Sequence, residues 1–287
     1  RYIPGWDCHG LPIEWKIEEK YRKKGRDKDA VPVVEFRQEC REFAEGWVDI
    51  QRDEFKRLGI TGKWENPYLT MDFHAERVIA AEFQKFLMNG TLYQGSKPVM
   101  WSPIEKTALA EAEVEYHDKE SFTVWVKFKV VGTGDKTLDS AKVVIWTTTP
   151  WTMPSNKAVV YGADISYGLY EVIGRPEECW ANIGERFILS DSLAEDVLGR
   201  ARLDTTMFRR LCDITQDDLA KIELQHPLHG AEGGEGEWDD IRDFRSADFV
   251  TDTEGTGFVH CAPSHGMEEF ELYRDLGMLD EVITYNV

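Results

Sequence analysis

Apolar residues recur every three or four positions in three stretches before residue 92, a spacing that predicts amphipathic helices. The three predicted helices are residues 12–24, 34–58 and 73–89. Pro12 suits the first turn of a helix, while Gly59 and Gly90 stand where a glycine commonly ends one. Several apolar positions are aromatic, and we expect these aromatic stripes to form core rather than to contact a ligand.

After residue 92 the pattern changes to short runs rich in β-branched residues, separated by glycine or aspartate, which is typical of strands. The predicted strands are residues 98–101, 121–131, 142–148, 157–161, 167–173 and 187–189, with another ending near His260. A short helix is predicted at 193–198, and another is opened by Glu268 and Glu269. The acidic, glycine-rich residues 230–240 are expected to be an exposed spacer. We expect a strand-rich domain that closes in a barrel-like sheet.

Length and composition leave room for two domains with ordinary cores, since 42% of the 287 residues are apolar. No apolar run approaches the ~20 residues that a membrane-spanning helix needs, so we expect a soluble protein without a membrane role. The five cysteines are scattered and include no Cys-x-x-Cys pair, which argues against structural zinc and disulfides and favours a reducing cytosol. Because the chain begins with Arg1, we expect it to be an excerpt of a longer protein.

The formal net charge of −19 would repel a nucleic acid backbone, because affinity for phosphates comes mainly from lysine and arginine. Any contact with a polynucleotide must therefore be local. One candidate is the basic stretch at residues 20–28, whose alternative interpretation is the solvated C-terminal end of the first helix.

Residues 145–160 place three adjacent threonines, a proline and an asparagine at the end of an apolar strand. The threonines are Thr147, Thr148 and Thr149. Pro150 ends the strand's ladder, so the hydroxyls lie in a turn that is suited to grip a small polar group. A hydroxyl-rich surface turn is the simpler interpretation. Residues 255–270 add an imidazole, His260, and the two carboxylates of the following helix.

Three more blocks carry a family resemblance. Residues 4–14 read Pro-Gly-Trp-Asp-Cys-His-Gly-Leu-Pro-Ile-Glu, residues 97–103 read Lys-Pro-Val-Met-Trp-Ser-Pro, and residues 107–117 read Thr-Ala-Leu-Ala-Glu-Ala-Glu-Val-Glu-Tyr-His. With the Thr-Thr-Thr-Pro-Trp-Thr loop and the Gly-Thr-Gly-x-Val-His strand, they resemble the isoleucyl-tRNA synthetases, class I enzymes, over essentially the whole chain. The related valine and leucine enzymes have Thr-Thr-Arg-Pro at that loop, so Thr149 and Trp151 point to the isoleucine type.

The resemblance implies an α/β fold in two parts. Residues 1–112 would be an incomplete, mostly helical piece of a Rossmann-type catalytic domain, and residues 113–287 most of the editing (CP1) domain. The ATP-handling signatures of the family, of the His-Ile-Gly-His and Lys-Met-Ser-Lys-Ser types, do not occur in the sequence. We therefore expect no aminoacylation by this chain alone; ATP and Mg²⁺ would serve only the longer parent, and editing would need no cofactor or metal. The implied partners are the acceptor end of tRNA(Ile) and valine or isoleucine, in a cytoplasmic monomer.

Editing has a physical origin, for which this family is itself the usual worked example. A pocket for isoleucine rejects valine, which lacks one methylene, by only ~1–3 kcal/mol. A second, smaller pocket must then hydrolyse the ester that joins valine to the terminal adenosine of the tRNA, or hydrolyse valyl-adenylate. Such a reaction needs an anchor for the substrate ammonium, donors for the carbonyl oxygen and a placed water.

The resemblance also implies roles for particular residues. The three threonines would hold the carbonyl and the adenosine sugar through hydroxyls and backbone amides. Asn156 would orient water or substrate, and Trp151 would belong to the substrate pocket. His260 would narrow this pocket so that valine enters and isoleucine does not; a structural histidine at a strand end is the alternative.

The expected ammonium anchor departs from the family pattern. The family has aspartate at the position of Glu269, within His-Gly-x-x-Asp, whereas this chain has glutamate. The charge is kept, but a shift of about an ångström at the reacting carbonyl costs roughly 100-fold in rate. Glu268 is a poorer anchor because consecutive helical residues point about 100° apart. Both acids would also stabilise a helix N-terminus without any catalytic role.

In the first part of the chain, Asp7 matches the family residue that binds the amino group of isoleucine in the synthetic site. A buried turn aspartate is the plainer interpretation of this residue.

The sequence fits other kinds of hydrolase less well than editing. A cysteine hydrolase is disfavoured, because Cys261 and His260 are neighbours on a strand and point to opposite faces. A metal hydrolase is disfavoured because His226 and His229 lack further ligands at familiar spacing. A non-catalytic module that only holds the acceptor end of tRNA is the alternative that stays open.

Overall fold

The computed structural model describes residues 2–135 and 137–282, and the chain divides into two compact units. The first unit comprises Arg1–Ser96 with Trp101–Ala108, and the second comprises Lys97–Met100 with Leu109–Val287. Each unit has buried apolar clusters of its own, as independent domains do.

The first unit consists of three helices and two pairs of very short strands. Its elements are β1 (Gly5–Trp6), α1 (Leu11–Lys23), α2 (Val33–Arg57), β2 (Tyr68–Leu69), α3 (Phe73–Met88), β3 (Trp101–Ser102) and β4 (Thr107–Ala108). β1 and β2 pair in parallel, whereas β3 and β4 are antiparallel. The helices confirm the three predictions to within one residue at each end. The strand predicted at 98–101 is wrong except at its last residue.

The aromatic stripes of this unit are only partly buried. Ile17 and Tyr21 of α1 are buried, and Phe36 packs against them. By contrast, Trp47 on α2 is 47% exposed and Phe86 on α3 is 56% exposed. The prediction that the whole stripes form core is therefore wrong, because three helices and two short strand pairs offer too little surface to cover every apolar face.

The second unit is built on a mixed sheet of nine strands with short helices. The strands are β5 (Val124–Val130), β6 (Lys142–Thr147), β7 (Ala158–Tyr161), β8 (Tyr167–Val172), β9 (Arg186–Ser190), β10 (Phe208–Ile214), β11 (Leu224–Gln225), β12 (Ile241–Ser246) and β13 (Phe258–Cys261). The helices are α4 (Ala194–Arg200), α5 (Gln216–Leu219), α6 (Met267–Asp275) and α7 (Leu279–Val282). The predicted strands from 121 to 189 are confirmed as β5 to β9, while β10, β11 and β12 match no predicted strand.

The order of strands in this sheet is β10-β8-β9-β6-β5-β11-β12-β7-β13. The α/β class is thereby confirmed for the unit. The barrel-like closure is not confirmed, because no backbone ladder joins the two edge strands within residues 109–135 and 137–282. Nonetheless, β13 runs close to β6 without pairing to it, so the C-terminal end of β6 lies near β13.

Burial on both faces explains why β6 reads as a continuous apolar run. Val143 and Ile145 belong to one buried cluster, and Val144 belongs to another on the opposite face of the sheet. Full burial of these side chains fixes the register of β6, because a slip of one residue would exchange its two faces. The position of the threonines that follow is therefore fixed by the core.

Among the described residues, none of the helices combines the length and the apolar character that crossing a bilayer demands.

Candidate active site

A cavity of about 290 Å³ in the second unit brings together residues from two distant segments of the sequence. The predicted site residues that line it are Thr147, Thr149, Trp151, His260 and Glu269. The end of β6 and the following turn supply the first three. The end of β13 and the first turn of α6 supply the other two.

The cavity has two chemically different sides. We call Thr147, Thr149, Thr152 and His260 the threonine wall, because hydroxyls and one imidazole make up its polar groups. We call Gly266 and Glu269 the acid wall, because its polar side chain is a carboxylate.

The hydroxyls of the threonine wall are held by the turn itself. Thr147 ends β6, and its Oγ1 accepts the backbone N–H of Thr149 at 3.1 Å. The hydroxyl oxygens of these two threonines lie 3.3 Å apart. The N–H of Thr149 is therefore already engaged, so the prediction that backbone amides grip the substrate does not apply to this one.

Thr148 is not brought into the cavity. Its side chain is exposed, and Thr148 is not among the described residues that line the cavity. The reason is the alternation of a strand, since residues that follow one another at a strand end project to opposite sides. The structure thus separates Thr148 from the other two predicted threonines.

Thr152 and Asn156 together fix the protonation of His260. The Thr152 hydroxyl donates to the carbonyl of Thr149 at 2.8 Å, so at its 2.9 Å contact with His260 it must accept a proton from Nε2. On the other side of the ring, the Asn156 amide donates to His260 Nδ1 at 2.8 Å. The same amide donates to the carbonyl of Ala158, which can only accept. His260 is therefore the neutral tautomer with its proton on Nε2.

The charge of His260 agrees with this assignment. Burial, with smaller contributions from the nearby His226 and His265, lowers the pKa of His260 to about 4. At neutral pH the ring is uncharged and both of its nitrogens are occupied. It can act as a fixed wall of the cavity, but it has no nitrogen left to take a proton from water.

Asn156 lies behind His260 and not in the cavity. Its side chain is fully buried, and it is absent from the described residues that line the cavity. The predicted contact of Asn156 with water or substrate is therefore not what the structure shows. Its visible contacts orient the imidazole instead.

The acid wall presents a carboxylate without a basic partner. Glu269 lies in the first turn of α6, and burial raises its pKa, with the neighbouring charge of Glu268 adding to the effect; its own backbone N–H acts in the opposite direction. No lysine or arginine of the described chain contributes to its pKa. Glu268 is exposed on the same turn. The carboxylate of Glu269 is thus the group in the cavity that would gain most from a cation.

A second layer holds the threonine turn from behind. His226 Nε2 donates to the carbonyl of Met153 at 3.0 Å, and its Nδ1 accepts the N–H of Leu228 at 3.0 Å. Trp238 stacks on the His226 ring and donates its indole N–H to the carbonyl of Pro154 at 3.0 Å. These contacts hold the turn at Pro150–Ser155 against the acidic, glycine-rich residues 230–240.

The same contacts bear on the other hydrolase classes. Both ring nitrogens of His226 are occupied, and His229 lies 3.1 Å from Asp239. No group of three or more metal-ligating side chains occurs within the described residues. Cys261 is fully buried in an apolar cluster, and burial raises the pKa of its thiol, which makes it a poor nucleophile.

Asp7 lies in the first unit, directly after β1. Its side chain is exposed and accepts a hydrogen bond from the Thr70 hydroxyl at 3.2 Å, while the N–H of Cys8 donates to the same hydroxyl at 2.8 Å. Asp7 follows β1 and Thr70 follows β2, so Asp7 is held at the carboxyl end of this parallel strand pair. Binding sites of α/β proteins commonly occupy this edge. The alternative of a buried aspartate is wrong.

Sequence reasoning missed Thr152, His265 and Gly266, all of which line the cavity. Thr152 carried a usable signal: it stands three residues after Thr149, the spacing that aligns residues on a tight helical turn. Gly266 stands in the His-Gly-x-x-Asp pattern quoted for Glu269, but its role depends on where the Glu269 side chain folds, which the pattern does not show.

Comparison with known proteins agrees with the sequence motifs. The model of the class I tRNA synthetases (I, L, M and V) matches residues 1–231. The isoleucine--tRNA ligase of Ruegeria pomeroyi is 78% identical over 287 residues, 100% of this chain and 29% of that protein. Its counterpart in Brucella abortus is 55% identical over 276 residues, 96% of this chain and 28% of that protein.

The chain therefore spans less than a third of the length of these curated relatives. Among solved structures, the cytosolic leucyl-tRNA synthetase editing domain of P. falciparum aligns with 57% of this chain and 69% of that chain. The TM-score of 0.39 and the identity of 11% are too low to support any inference. The match to the family model, which includes the threonine turn and Asn156, shows that the chain belongs to the class I tRNA synthetases.

Proposed function

We propose that this chain is a segment of an isoleucine-specific synthetase and that its second part hydrolyses misacylated Val-tRNA(Ile). In this proposal residues 1–112 belong to the catalytic domain and residues 113–287 to the editing domain. The observation that carries it is one cavity lined by a carboxylate without a lysine or arginine partner, two hydroxyls and a fixed, neutral imidazole. An α-amino ester has the complementary groups, an ammonium and a carbonyl.

Glu269 is the proposed anchor of the substrate ammonium. A carboxylate with no lysine or arginine partner, partly withdrawn from water, gains more from an ammonium than an exposed one does. The α-amino group then fixes where the neighbouring carbonyl lies. Uncharged esters lack this contact.

Thr147 and Thr149 are the proposed partners of the carbonyl and of the adenosine sugar. Their hydroxyls line the cavity and can rotate to donate to an oxygen on which negative charge develops. Trp151, 69% exposed at the edge of the same cavity, offers an aromatic face to the terminal adenosine.

Water is the proposed nucleophile. It adds to the carbonyl carbon, the ester C–O bond breaks, and the ribose oxygen leaves with a proton that the water has lost. No covalent intermediate is needed, since Cys261 is buried in apolar surroundings and the nitrogens of His260 are engaged. The residues position the reactants instead of supplying a strong base.

His260 is the proposed determinant of size. Hydrogen bonds at both nitrogens stop the ring from turning aside, so a side chain one methylene larger than valine meets a fixed obstacle. Asn156 and Thr152 contribute to specificity through this ring, not through the substrate.

The longer protein would supply the other partners. ATP and Mg²⁺ belong to its synthetic reaction, in which Asp7 is the proposed ligand of the isoleucine amino group, and no step of the proposed hydrolysis uses either. The acceptor end of tRNA(Ile) delivers the ester.

The direct test is to incubate the purified chain with Val-tRNA(Ile) and Ile-tRNA(Ile), in the presence and absence of a chelator and of a thiol-blocking reagent. We expect the valyl ester to be cleaved faster than the isoleucyl ester under all four conditions. Binding of the tRNA without cleavage would overturn the proposal in favour of a module that only holds the acceptor end. Loss of cleavage with the chelator or the blocking reagent would indicate a metal or cysteine hydrolase.

A further inference from the structure

Gly266 stands where its backbone does not require glycine. It is the residue before α6, with φ of −122° and ψ of 143°, an extended conformation open to any residue. Glycine is also a weaker choice at this position than serine or aspartate, whose side chains cap a helix. Some other property must account for a glycine here.

That property is the space that a side chain would fill. A Cβ built on Gly266 would overlap with Oε2 and Cδ of the Glu269 carboxylate. The Glu269 carboxylate therefore occupies the volume that a Cβ at residue 266 would need, and the side chain folds back over the Cα of Gly266.

The folded-back conformation changes where the charge sits. An extended glutamate places its carboxylate one methylene further from the helix than an aspartate does. Folding over Gly266 draws the carboxylate back to the first turn of α6, where its own backbone N–H donates to it. Gly266 and Glu269 both line the cavity, so this retraction sets the position of the anion within it.

We propose that Gly266 is a positioning residue, which retracts the Glu269 carboxylate to the place where the substrate ammonium binds. This inference rests on the proposed function, because it assigns Gly266 to the same hydrolysis. It adds that a residue without a functional group sets the geometry of the anchor.

Gly266→Ala and Gly266→Ser test the idea together. Each adds a Cβ that displaces the carboxylate, but serine also supplies a good helix cap, so a loss common to both reflects lost space and not lost capping. We expect both variants to lose about 100-fold in the rate of Val-tRNA(Ile) hydrolysis, the cost of roughly an ångström of misplacement. Gly199→Ala, in α4 with nothing within 4 Å of the added atom, is the matched control and should keep the wild-type rate.

Rescue separates positioning from a general loss of structure. In Gly266→Ala combined with Glu269→Asp, the shorter side chain no longer reaches the added Cβ. We expect the double variant to hydrolyse the ester at the rate of Glu269→Asp alone, to within about threefold, and faster than Gly266→Ala.

Two results would overturn the inference while leaving the proposed function intact. One is a wild-type rate in Gly266→Ala, and the other is a double variant whose losses simply multiply. Absence of hydrolysis by the wild-type chain would instead reject the proposed function. A crystal structure of Gly266→Ala adds an independent readout, since the Glu269 side chain must then have left the Cα of residue 266.

Discussion

The two walls of the cavity are prepared in opposite ways. Every polar group described for Thr152 and His260 on the threonine wall has a hydrogen-bond partner, and the imidazole is neutral. The acid wall leaves a carboxylate with no basic partner in the described chain, and burial raises its pKa. Thr152 and His260 are therefore complete without a substrate, whereas the acid wall becomes complete only when a cation arrives.

This difference assigns separate tasks to the walls. His260, whose hydrogen bonds are already formed, gains little from new polar contacts, but it keeps its position and can exclude a larger side chain. A carboxylate held away from water gains a charge-assisted hydrogen bond from an ammonium. Selection by size therefore belongs to His260 on the threonine wall, and attraction of the ammonium belongs to the acid wall. Substitutions can test these two tasks one at a time.

The largest effect should follow from removing the charge of the acid wall. Glu269→Gln keeps the shape of the side chain but loses the anion, and we expect hydrolysis of Val-tRNA(Ile) to fall about 100-fold, the upper range for a hydrogen bond to a charged group. Glu268→Gln, on the exposed side of the same turn, is the matched control and should stay within about twofold. Equal losses in both variants would show that only the charge at the helix N-terminus matters.

The pH dependence sharpens the same point. Burial raises the pKa of Glu269, so its carboxylate takes up a proton at a higher pH than an exposed glutamate does. Hydrolysis should therefore decline as the pH falls through that pKa, and the decline should be missing in Glu269→Gln. His260, with a pKa of about 4, should add no step between pH 5 and pH 8. A step that persists in Glu269→Gln would instead implicate another titrating group.

Opening the threonine wall should change selectivity more than rate. In His260→Ala the obstacle to the larger side chain is gone, and we expect the ratio of valyl to isoleucyl ester hydrolysis to fall by about 10- to 100-fold, the worth of one methylene. Single-turnover hydrolysis of the two esters measures this ratio. An unchanged ratio would remove His260 from the selection of size.

Weakening the support of His260 should have a smaller effect of the same kind. Asn156→Ala leaves His260 Nδ1 and the carbonyl of Ala158 without this donor, which costs about 1–3 kcal/mol of unfolding free energy. Chemical denaturation measures the loss, and Asn182→Ala, an exposed site, should lie within about 0.5 kcal/mol of wild type. The ratio of valyl to isoleucyl hydrolysis should also fall in Asn156→Ala, by less than in His260→Ala.

The smallest effect is expected at the threonine that the structure leaves outside the cavity. Thr148→Ala should alter hydrolysis by less than about threefold, because the side chain is exposed and is not among the described residues that line the cavity. Thr147→Ala, by contrast, removes a hydroxyl that lines the cavity and accepts the N–H of Thr149. Comparable losses in the two variants would contradict the assignment of Thr148 to the outer side.

Local patterns were sufficient for much of the fold. Proline and glycine at Pro12, Gly59 and Gly90 marked the limits of the first three helices, and β-branched runs marked β5 to β9. β12 escaped prediction because it buries Arg242, whose guanidinium donates to the carbonyls of Glu237 and Asp240. No alternation of apolar and polar residues can signal a strand that buries a charge.

The candidate site was predictable in its chemistry but not in its geometry. The motifs indicated threonines, a histidine and a carboxylate, and these do line one cavity. Strand alternation would have separated Thr147 from Thr148 in advance. The contact of Asn156 with the imidazole joins segments about a hundred residues apart in the sequence. The folding of Glu269 over Gly266 depends on the rotamer of one side chain. A linear pattern records neither.

The claim that Glu269 recognises the substrate ammonium is tested most directly by changing both partners, the ammonium of the ester and the carboxylate of the protein. Val-tRNA(Ile) and its analogue with a hydroxyl in place of the ammonium are each given to wild type and to Glu269→Gln, and every rate is divided by the spontaneous hydrolysis of the same ester. We predict that wild type favours the ammonium ester by about 100-fold and that Glu269→Gln hydrolyses the two alike. Equal relative rates in the wild type would contradict the account.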